Sequence, residues 1–326
     1  MRLSFINSCT LSININDKKQ AKLQNFMQFA TIVLILRRLK LSVLQVYQDK
    51  QAILDTVQKI KKNSQTVGLV PTMGALHEGH LSLIRKAEEH CDRVVISIFV
   101  NPTQFNNASD LEKYPRTLEE DIQLLEQNFN DLIIFTPTEK EIYGENIESE
   151  KFEFGPLAKQ MEGKYRDGHF DGVGTILKRL FDVVQPDKAF FGEKDYQQLL
   201  IVKKLVELTQ QEVEIIGCPI SREENGLARS SRNKRLNAEE IDKASFIYKT
   251  LQEAKGQFGT DNALLLKEKI ENSFKENQDF LELEYFEISE ANTLEPISEF
   301  NKNTKYRAFV AAFANDVRLI DNIALN

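Results

Sequence analysis

Between residues 49 and 220 the chain alternates short β-branched apolar runs with segments of helical spacing, and no other property narrows its fold as far. The runs at 66–70 and 93–100 are almost continuously apolar, the pattern of strands that a parallel sheet buries on both faces. Further strands are expected at 132–135, 188–191 and 213–220. Helices are expected over 49–62, 81–90, 117–128, 174–184 and 196–209. This alternation predicts an α/β fold, a Rossmann-like doubly wound parallel sheet that binds ligands beyond the carboxyl ends of its strands. After about Ser221 the chain turns polar. Helices at 238–255 and 262–272, with strands at 283–288 and 306–313, then read as a smaller α+β C-terminal domain. The predicted sections are an extension over 1–44, a Rossmann-like domain over 45–220 and a lid over 221–326.

Composition narrows the function classes. A length of 326 residues, 41% of them hydrophobic, supports two domains with substantial cores. The net charge of -7 leaves no broad basic surface, which argues against a nucleic-acid partner. Cys9, Cys91 and Cys218 are scattered without CxxC spacing, which suits a reducing cytoplasm and argues against a disulfide framework or zinc knuckle. The apolar run from Phe29 to Leu36, followed by Arg37 and Arg38, is too short to span a bilayer. It also lacks the small residues that follow a signal-peptide core, so residues 1–44 are expected to be poorly ordered and to make no membrane contact.

The chemistry-bearing residues fall where strands end. After the first strand come Met73, Gly74, Ala75, Leu76, His77, Glu78, Gly79 and His80, a glycine-containing turn that opens a helix. Unpaired amide N–H groups and the helix dipole make such a junction an anion site, and two histidines three apart would share one face aimed at it. The spacing also fits metal ligands, but no Cys or further His lies nearby to complete a zinc set. Asn101, Pro102, Thr103 and Gln104 follow the second strand. Gly192, Glu193, Lys194 and Asp195 follow a later one, with Gln198 on the same helical face as Asp195. Ser221 and the loop Arg229, Ser230, Ser231 and Arg232 carry hydroxyls and guanidinium groups fit to stabilise phosphate charge. Arg166, Asp167, Gly168 and His169 add turn chemistry and one more imidazole.

These segments, in this order and together with Tyr114, Pro115, Arg116 and Thr117, resemble the pantoate–β-alanine ligase (pantothenate synthetase) family, within the nucleotidyltransferases that carry a His-x-Gly-His ATP motif. The resemblance covers about residues 46–322. It implies ATP-dependent condensation of (R)-pantoate with β-alanine through a pantoyl adenylate, releasing pyrophosphate and AMP, in a cytoplasmic homodimer. Carried over by position, Met73 to His80, Gly192 to Asp195, Ser221 and Arg229 to Arg232 would contact ATP, with His80 the catalytic donor. Gln104 and Gln198 would hold pantoate, Gln104 would also serve β-alanine, and Asn101 and His169 would line the same pocket. Magnesium is expected with the triphosphate. One departure is Arg229, where the family carries an apolar residue. The runner-up reading is a nucleotidyltransferase acting on a phosphate ester, which would need a second basic pocket where this chain offers Gln104 and Gln198. A regulatory protein that senses ATP without turnover is the alternative outside enzymes.

Overall fold

Successive side chains of a strand point to opposite faces, so a run that is apolar throughout has to be covered on both. The structure is a computed structural model that describes residues 44–106, 108–260, 262–276 and 280–326, all within the compact unit Leu44–Asn326. The expected extension and its apolar run at 29–36 lie outside the described residues. Six strands, β1 (Gln45–Tyr47), β2 (Val67–Thr72), β3 (Arg93–Ile98), β4 (Ile133–Phe135), β5 (Lys188–Gly192) and β6 (Glu214–Cys218), form one sheet in the order β1-β4-β3-β2-β5-β6. Every pairing is parallel. Val67, Leu69 and Val95 enter one core, packed by α1 (Lys50–Lys62), α4 (His169–Val184) and α5 (Tyr196–Thr209). Val70, Val94 and Ile96 enter the other, against Leu81 and Ile84 of α2 (Glu78–His90) and Leu125 of α3 (Leu118–Asn128).

The strand order explains where a ligand can sit. From β2 the chain passes through α2 to β3 on one side, and from β5 it passes through α5 to β6 on the other. β2 and β5 are neighbours, paired at Gly68↔Lys188 and Leu69↔Ala189. Their outgoing connections diverge to opposite faces and open a crevice at the switch point. The Met73 to His80 segment leaves β2 there, and the Gly192 to Asp195 segment leaves β5 beside it.

The C-terminal part is built on an antiparallel sheet, β7 (Leu281–Glu290), β8 (Tyr306–Ala314) and β9 (Val317–Ala324). Leu251, Leu266, Ile270 and Phe274 of the covering helices α6 (Ala238–Ala244), α7 (Phe246–Gln257) and α8 (Ala263–Glu276) pack with Phe286 and Val310. Most expected boundaries shift by a few residues, and two of the differences have a clear local cause. The single helix at 238–255 is two, broken at buried Ser245, whose φ of -58° and ψ of -19° remain helical enough to escape a periodicity reading. Helix α4 starts at His169, five residues before the expected 174. Glycines in this first part of the helix serve close packing. A Cβ on Gly172 would lie 2.2 Å from the Thr103 carbonyl oxygen, and one on Gly174 would lie 2.9 Å from the Phe152 ring. Among the described residues no helix is long and apolar enough to cross a membrane.

A buried ion network ties a short helix of the first part of the chain to the C-terminal sheet. Glu162, on a short helix at Met161–Tyr165, accepts from Arg318 of β9 at 2.8 and 2.8 Å and from the Tyr285 hydroxyl of β7 at 2.9 Å. Arg318 also donates to Glu284 at 3.0 and 2.5 Å. Burial alone would raise the Glu162 pKa, but the hydrogen bonds and charge of Arg318, with Arg166 and Tyr285, hold it at about 2. Removing one partner of such a network leaves a buried charge short of its counterion, so Glu162→Gln is expected to cost roughly 3 kcal/mol in urea unfolding at pH 7. A carboxylate depressed in the folded state stabilises above its ordinary pKa of 4.5 and loses that contribution as pH falls towards 2, so the gap between wild type and variant should close over that window. An unchanged midpoint at pH 7 would mean that the network contributes nothing to stability.

Candidate active site

Between the end of β2 and the start of α2 the chain reverses through two left-handed residues, Gly74 at φ +79° and Ala75 at φ +50°. For a non-glycine residue this conformation costs about 1 kcal/mol. Asp121 of α3, 2% exposed, stabilises the turn by accepting from the Ala75 N–H at 2.9 Å and the Leu76 N–H at 2.7 Å. Thr117 donates to the same carboxylate at 3.3 Å. Burial raises the Asp121 pKa above the ordinary carboxylate value, and the two amides pull against that. From the opposite side the Ser231 hydroxyl donates to the Ala75 carbonyl at 3.1 Å, which docks the C-terminal loop on this turn.

The turn decides where α2 begins and hence what His77 and His80 do. His77 is the N-cap residue: its Nδ1 accepts from the Gly79 N–H at 3.1 Å, and His80 Nδ1 accepts from the His77 N–H at 3.3 Å. This is a capping box made from two imidazoles. The ring centroids lie 4.2 Å apart. A Cβ on Gly79 would stand 2.8 Å from His77 Cε1, so glycine is what lets the ring fold back over the first turn. With both Nδ1 atoms accepting, each neutral ring carries its proton on Nε2 and presents it as a donor. Burial, then the charges of Lys194, Lys234 and Arg229, lower His77 to a pKa of about 4. Burial, His77, Lys194 and Lys234 push His80 well below its ordinary value.

Gln104 is arranged by the residues behind it. Asn101, 1% exposed, donates through Nδ2 to Gln104 Oε1 at 3.1 Å and to the Gly172 carbonyl at 3.1 Å, while its Oδ1 accepts from Thr103 and Tyr143. Asn101 therefore has its polar atoms engaged within the protein and orients Gln104, whose Nε2 donates to Met73 Sδ at 2.8 Å and keeps its second proton. His169 holds the Gln104 carbonyl through Nδ1 at 2.8 Å and meets Arg166 through Nε2 at 3.2 Å. Burial and Arg166 lower its pKa to about 4.

A cavity of about 230 Å³ collects most of the expected residues. Met73, His77, Gly79 and His80 line it from β2 and α2, and Asn101 and Gln104 from the loop after β3. Gly192, Lys194, Asp195 and Gln198 line it from β5 and α5, and Ser221, Arg229, Ser230, Ser231 and Arg232 from the segment after β6. His169 lines instead an adjoining cavity of about 80 Å³ that shares Met73, Gln104, Lys194, Asp195, Gln198 and Arg232 with the first. Gly74, Ala75 and Leu76 are buried behind the wall, Glu78 turns outward to pair with Arg85, and Glu193 faces Arg307. Lys194 lies 3.7 Å from Asp195, and Arg232 pairs with Asp110 at 2.9 Å. The Arg229 guanidinium turns back on its own hairpin, donating to the Arg222 carbonyl at 3.1 Å and pairing with Glu223 at 3.0 Å. What the sequence reading missed is Asp121. Its signal is an acid at a position that shares a face with Leu125 on the buried side of an amphipathic helix.

The three lowered histidines yield a test by ¹⁵N NMR of the imidazoles. An ordinary imidazole, with a pKa of about 6.5, is mostly protonated at pH 5.5, whereas His77, His80 and His169 should remain neutral there. Stability should fall between pH 6.5 and about 4, because over that window the unfolded chain takes up protons that the folded one refuses. A protonated His77 at pH 5.5 would contradict the buried capping geometry.

Comparison with known proteins agrees with this geometry. The family model for pantoate-beta-alanine ligase matches residues 45–324. The chain is 55% identical over 283 residues to the pantothenate synthetase of Christiangramia forsetii, covering 87% of this chain and 100% of that one. It is 53% identical over 264 residues to the enzyme of the same name from Flavobacterium psychrophilum, covering 81% and 93%. Among solved structures, pantothenate synthetase from Thermus thermophilus superposes with a TM-score of 0.79 at 37% identity, over 86% of this chain and 99% of that one. Pantoate-beta-alanine ligase from Francisella tularensis, solved with β-γ ATP and β-alanine, gives 0.72 at 37%, over 87% and 98%. With one family model spanning nearly all of the described residues, the chain belongs to the pantoate–β-alanine ligase family.

Proposed function

We propose that this chain condenses (R)-pantoate with β-alanine at the expense of ATP, through a pantoyl-adenylate intermediate. The observation that carries the reading is a single cavity with two chemistries. Imidazole, ammonium, hydroxyl and guanidinium groups from His77, His80, Lys194, Ser230 and Arg232 suit a triphosphate. The carboxamides of Gln104 and Gln198, beside the apolar Val173, Ile176 and Leu177, suit a hydroxy acid that also carries methyl groups. A phosphorylated acceptor would want a second cationic cluster, and the cavity offers carboxamides for that part.

In this reading a pantoate carboxylate oxygen attacks the α-phosphorus, the bond to the β-phosphate oxygen breaks, and pyrophosphate leaves. The β-alanine amine then attacks the acyl carbon, AMP departs, and the nitrogen gives up a proton. Transfer of this kind depends on positioning and charge neutralisation more than on covalent chemistry. Gln104 Nε2, aimed by Asn101, would donate to pantoate oxygens and later serve β-alanine. The neutral Nε2–H of His80 would donate to the oxygens of the departing phosphate without the repulsion a second cation beside Lys194 would bring. Ser221 and the backbone at Met73 to His80, Gly192 to Asp195 and Arg229 to Arg232 would complete the ATP contacts. Arg229 would contribute through its main chain.

Among the described residues no cluster of three or more His, Cys, Asp or Glu side chains is placed to hold a metal. Magnesium would therefore arrive on the triphosphate, held mainly by phosphate oxygens and by Asp195, the one carboxylate among the described residues lining the cavity. When bound it would supply charge neutralisation to the phosphates. The reading assigns residues 45–220 to ATP and pantoate binding and 221–326 to a lid. A cytoplasmic homodimer belongs to it as well, and free thiols at Cys91 and Cys218 suit that compartment.

Pyrophosphate release is the test. With ATP, magnesium and pantoate alone it should stop near about one equivalent per site, and β-alanine should convert it to steady turnover with AMP and pantothenate as products. Silence towards pantoate, with turnover on a phosphorylated acceptor, would overturn the reading in favour of a nucleotidyltransferase. For the acceptor pocket, Gln198→Ala should raise the KM for pantoate by about tenfold while that for ATP stays within about twofold. Equal weakening of both would remove Gln198 from that pocket.

A further inference from the structure

The turn that carries Lys194 is held from below by one side chain of the C-terminal sheet. Asn322 of β9 is 1% exposed. Its Nδ2 donates to two successive carbonyls, Glu193 at 2.9 Å and Lys194 at 2.8 Å. An amide nitrogen has two protons, and both are used here. The direction of that amide is set by Arg307 of β8, which donates to Asn322 Oδ1 and pairs with Glu193 Oε2 at 3.0 Å. Arg307 is itself fixed, with its guanidinium 3.9 Å from the centroid of Tyr196, the residue that opens α5. Because a peptide unit is planar, fixing the Glu193 and Lys194 carbonyls also fixes the direction of the N–H groups of Lys194 and Asp195. A lysine on a short 3-10 turn, Glu193–Asp195, would otherwise be free to swing with its backbone.

We infer that Asn322, oriented by Arg307, is a positioning residue that sets Lys194 for the triphosphate, so that the C-terminal sheet fixes a cationic group of the ATP site. The inference rests on the proposed role of Lys194, and its signature is non-additivity. Two residues that act through one another lose their effect once, whereas independent ones lose it twice.

The experiment is a double-mutant cycle on the full chain with Asn322→Ala, Lys194→Ala and the pair, measuring the KM for ATP and for pantoate, with thermal unfolding as the control on folding. Asn322→Ala should raise the KM for ATP by about tenfold and leave that for pantoate within about twofold. The double variant should be no worse than Lys194→Ala. Asn322→Ser, which keeps one donor, should fall between wild type and alanine, and it carries the same cycle if the alanine variant does not fold. Multiplicative effects in the double variant, or equal rises for ATP and pantoate, would overturn the inference while leaving the ATP site intact. An unchanged KM for ATP in Lys194→Ala would instead overturn the site assignment on which it rests.

Discussion

One buried carboxylate does more than any other group to shape this molecule's site. Asp121 satisfies two consecutive amides of a turn whose backbone an alanine adopts only at a cost. Without an acceptor there, the Ala75 and Leu76 N–H groups would be buried and unpaired. The loss would exceed the strain itself. Everything on the β2 side follows from that turn: the first residue of α2, the mutual capping of His77 and His80, and the carbonyl on which Ser231 docks.

The charges of the cavity are already matched before any ligand is considered. Lys194 is beside Asp195, Arg232 beside Asp110 and Arg229 beside Glu223, while the two imidazoles between them are held neutral by burial. A chain with a net charge of -7 thus maintains a local group of cations lining the cavity, without a basic surface around it. A triphosphate at this position would exchange with side-chain carboxylates for cations already in place. The reorganisation is then a matter of ion-pair partners, with the fold unchanged. The amide end works by the same economy of motion, since Asn101 spends its own hydrogen bonds on aiming Gln104.

Much of this was legible in the residues. Uniformly apolar runs announced a sheet covered on both faces, and glycine- and histidine-bearing segments at their ends announced the crevice. The sheet is parallel and doubly wound as that pattern implies. Periodicity failed where a residue serves packing instead of its usual local role. Gly172 falls in a stretch that reads as a turn yet lies inside α4, because the Thr103 carbonyl leaves no room for a Cβ. Ser245 breaks a helix with dihedral angles that no propensity scale would flag. Asn101 and His169 read as pocket-lining residues; they line the two adjoining cavities and also hold Gln104, through its side chain and its main-chain carbonyl respectively. The groups that support the site from a distance, Asp121 and Asn322, are single polar residues in otherwise ordinary elements. Only the three-dimensional neighbourhood distinguishes them.

The adjacency of β2 and β5 also has a kinetic consequence. The hydrogen bond from the Val67 N–H to Asp187 Oδ2, at the foot of that pair, closes a separation of 120 residues. Between the two strands in sequence lie β3 and β4, which pair with β2 and with each other over far shorter stretches. Loop-closure entropy favours the local pairings over the long one, so β3 is expected beside β2 before β5 arrives. The crevice between β2 and β5 is therefore expected to form late in folding. A ligand of that crevice would find no half-formed pocket on the way, so it would act on the native state by mass action and leave the rate of reaching that state unchanged.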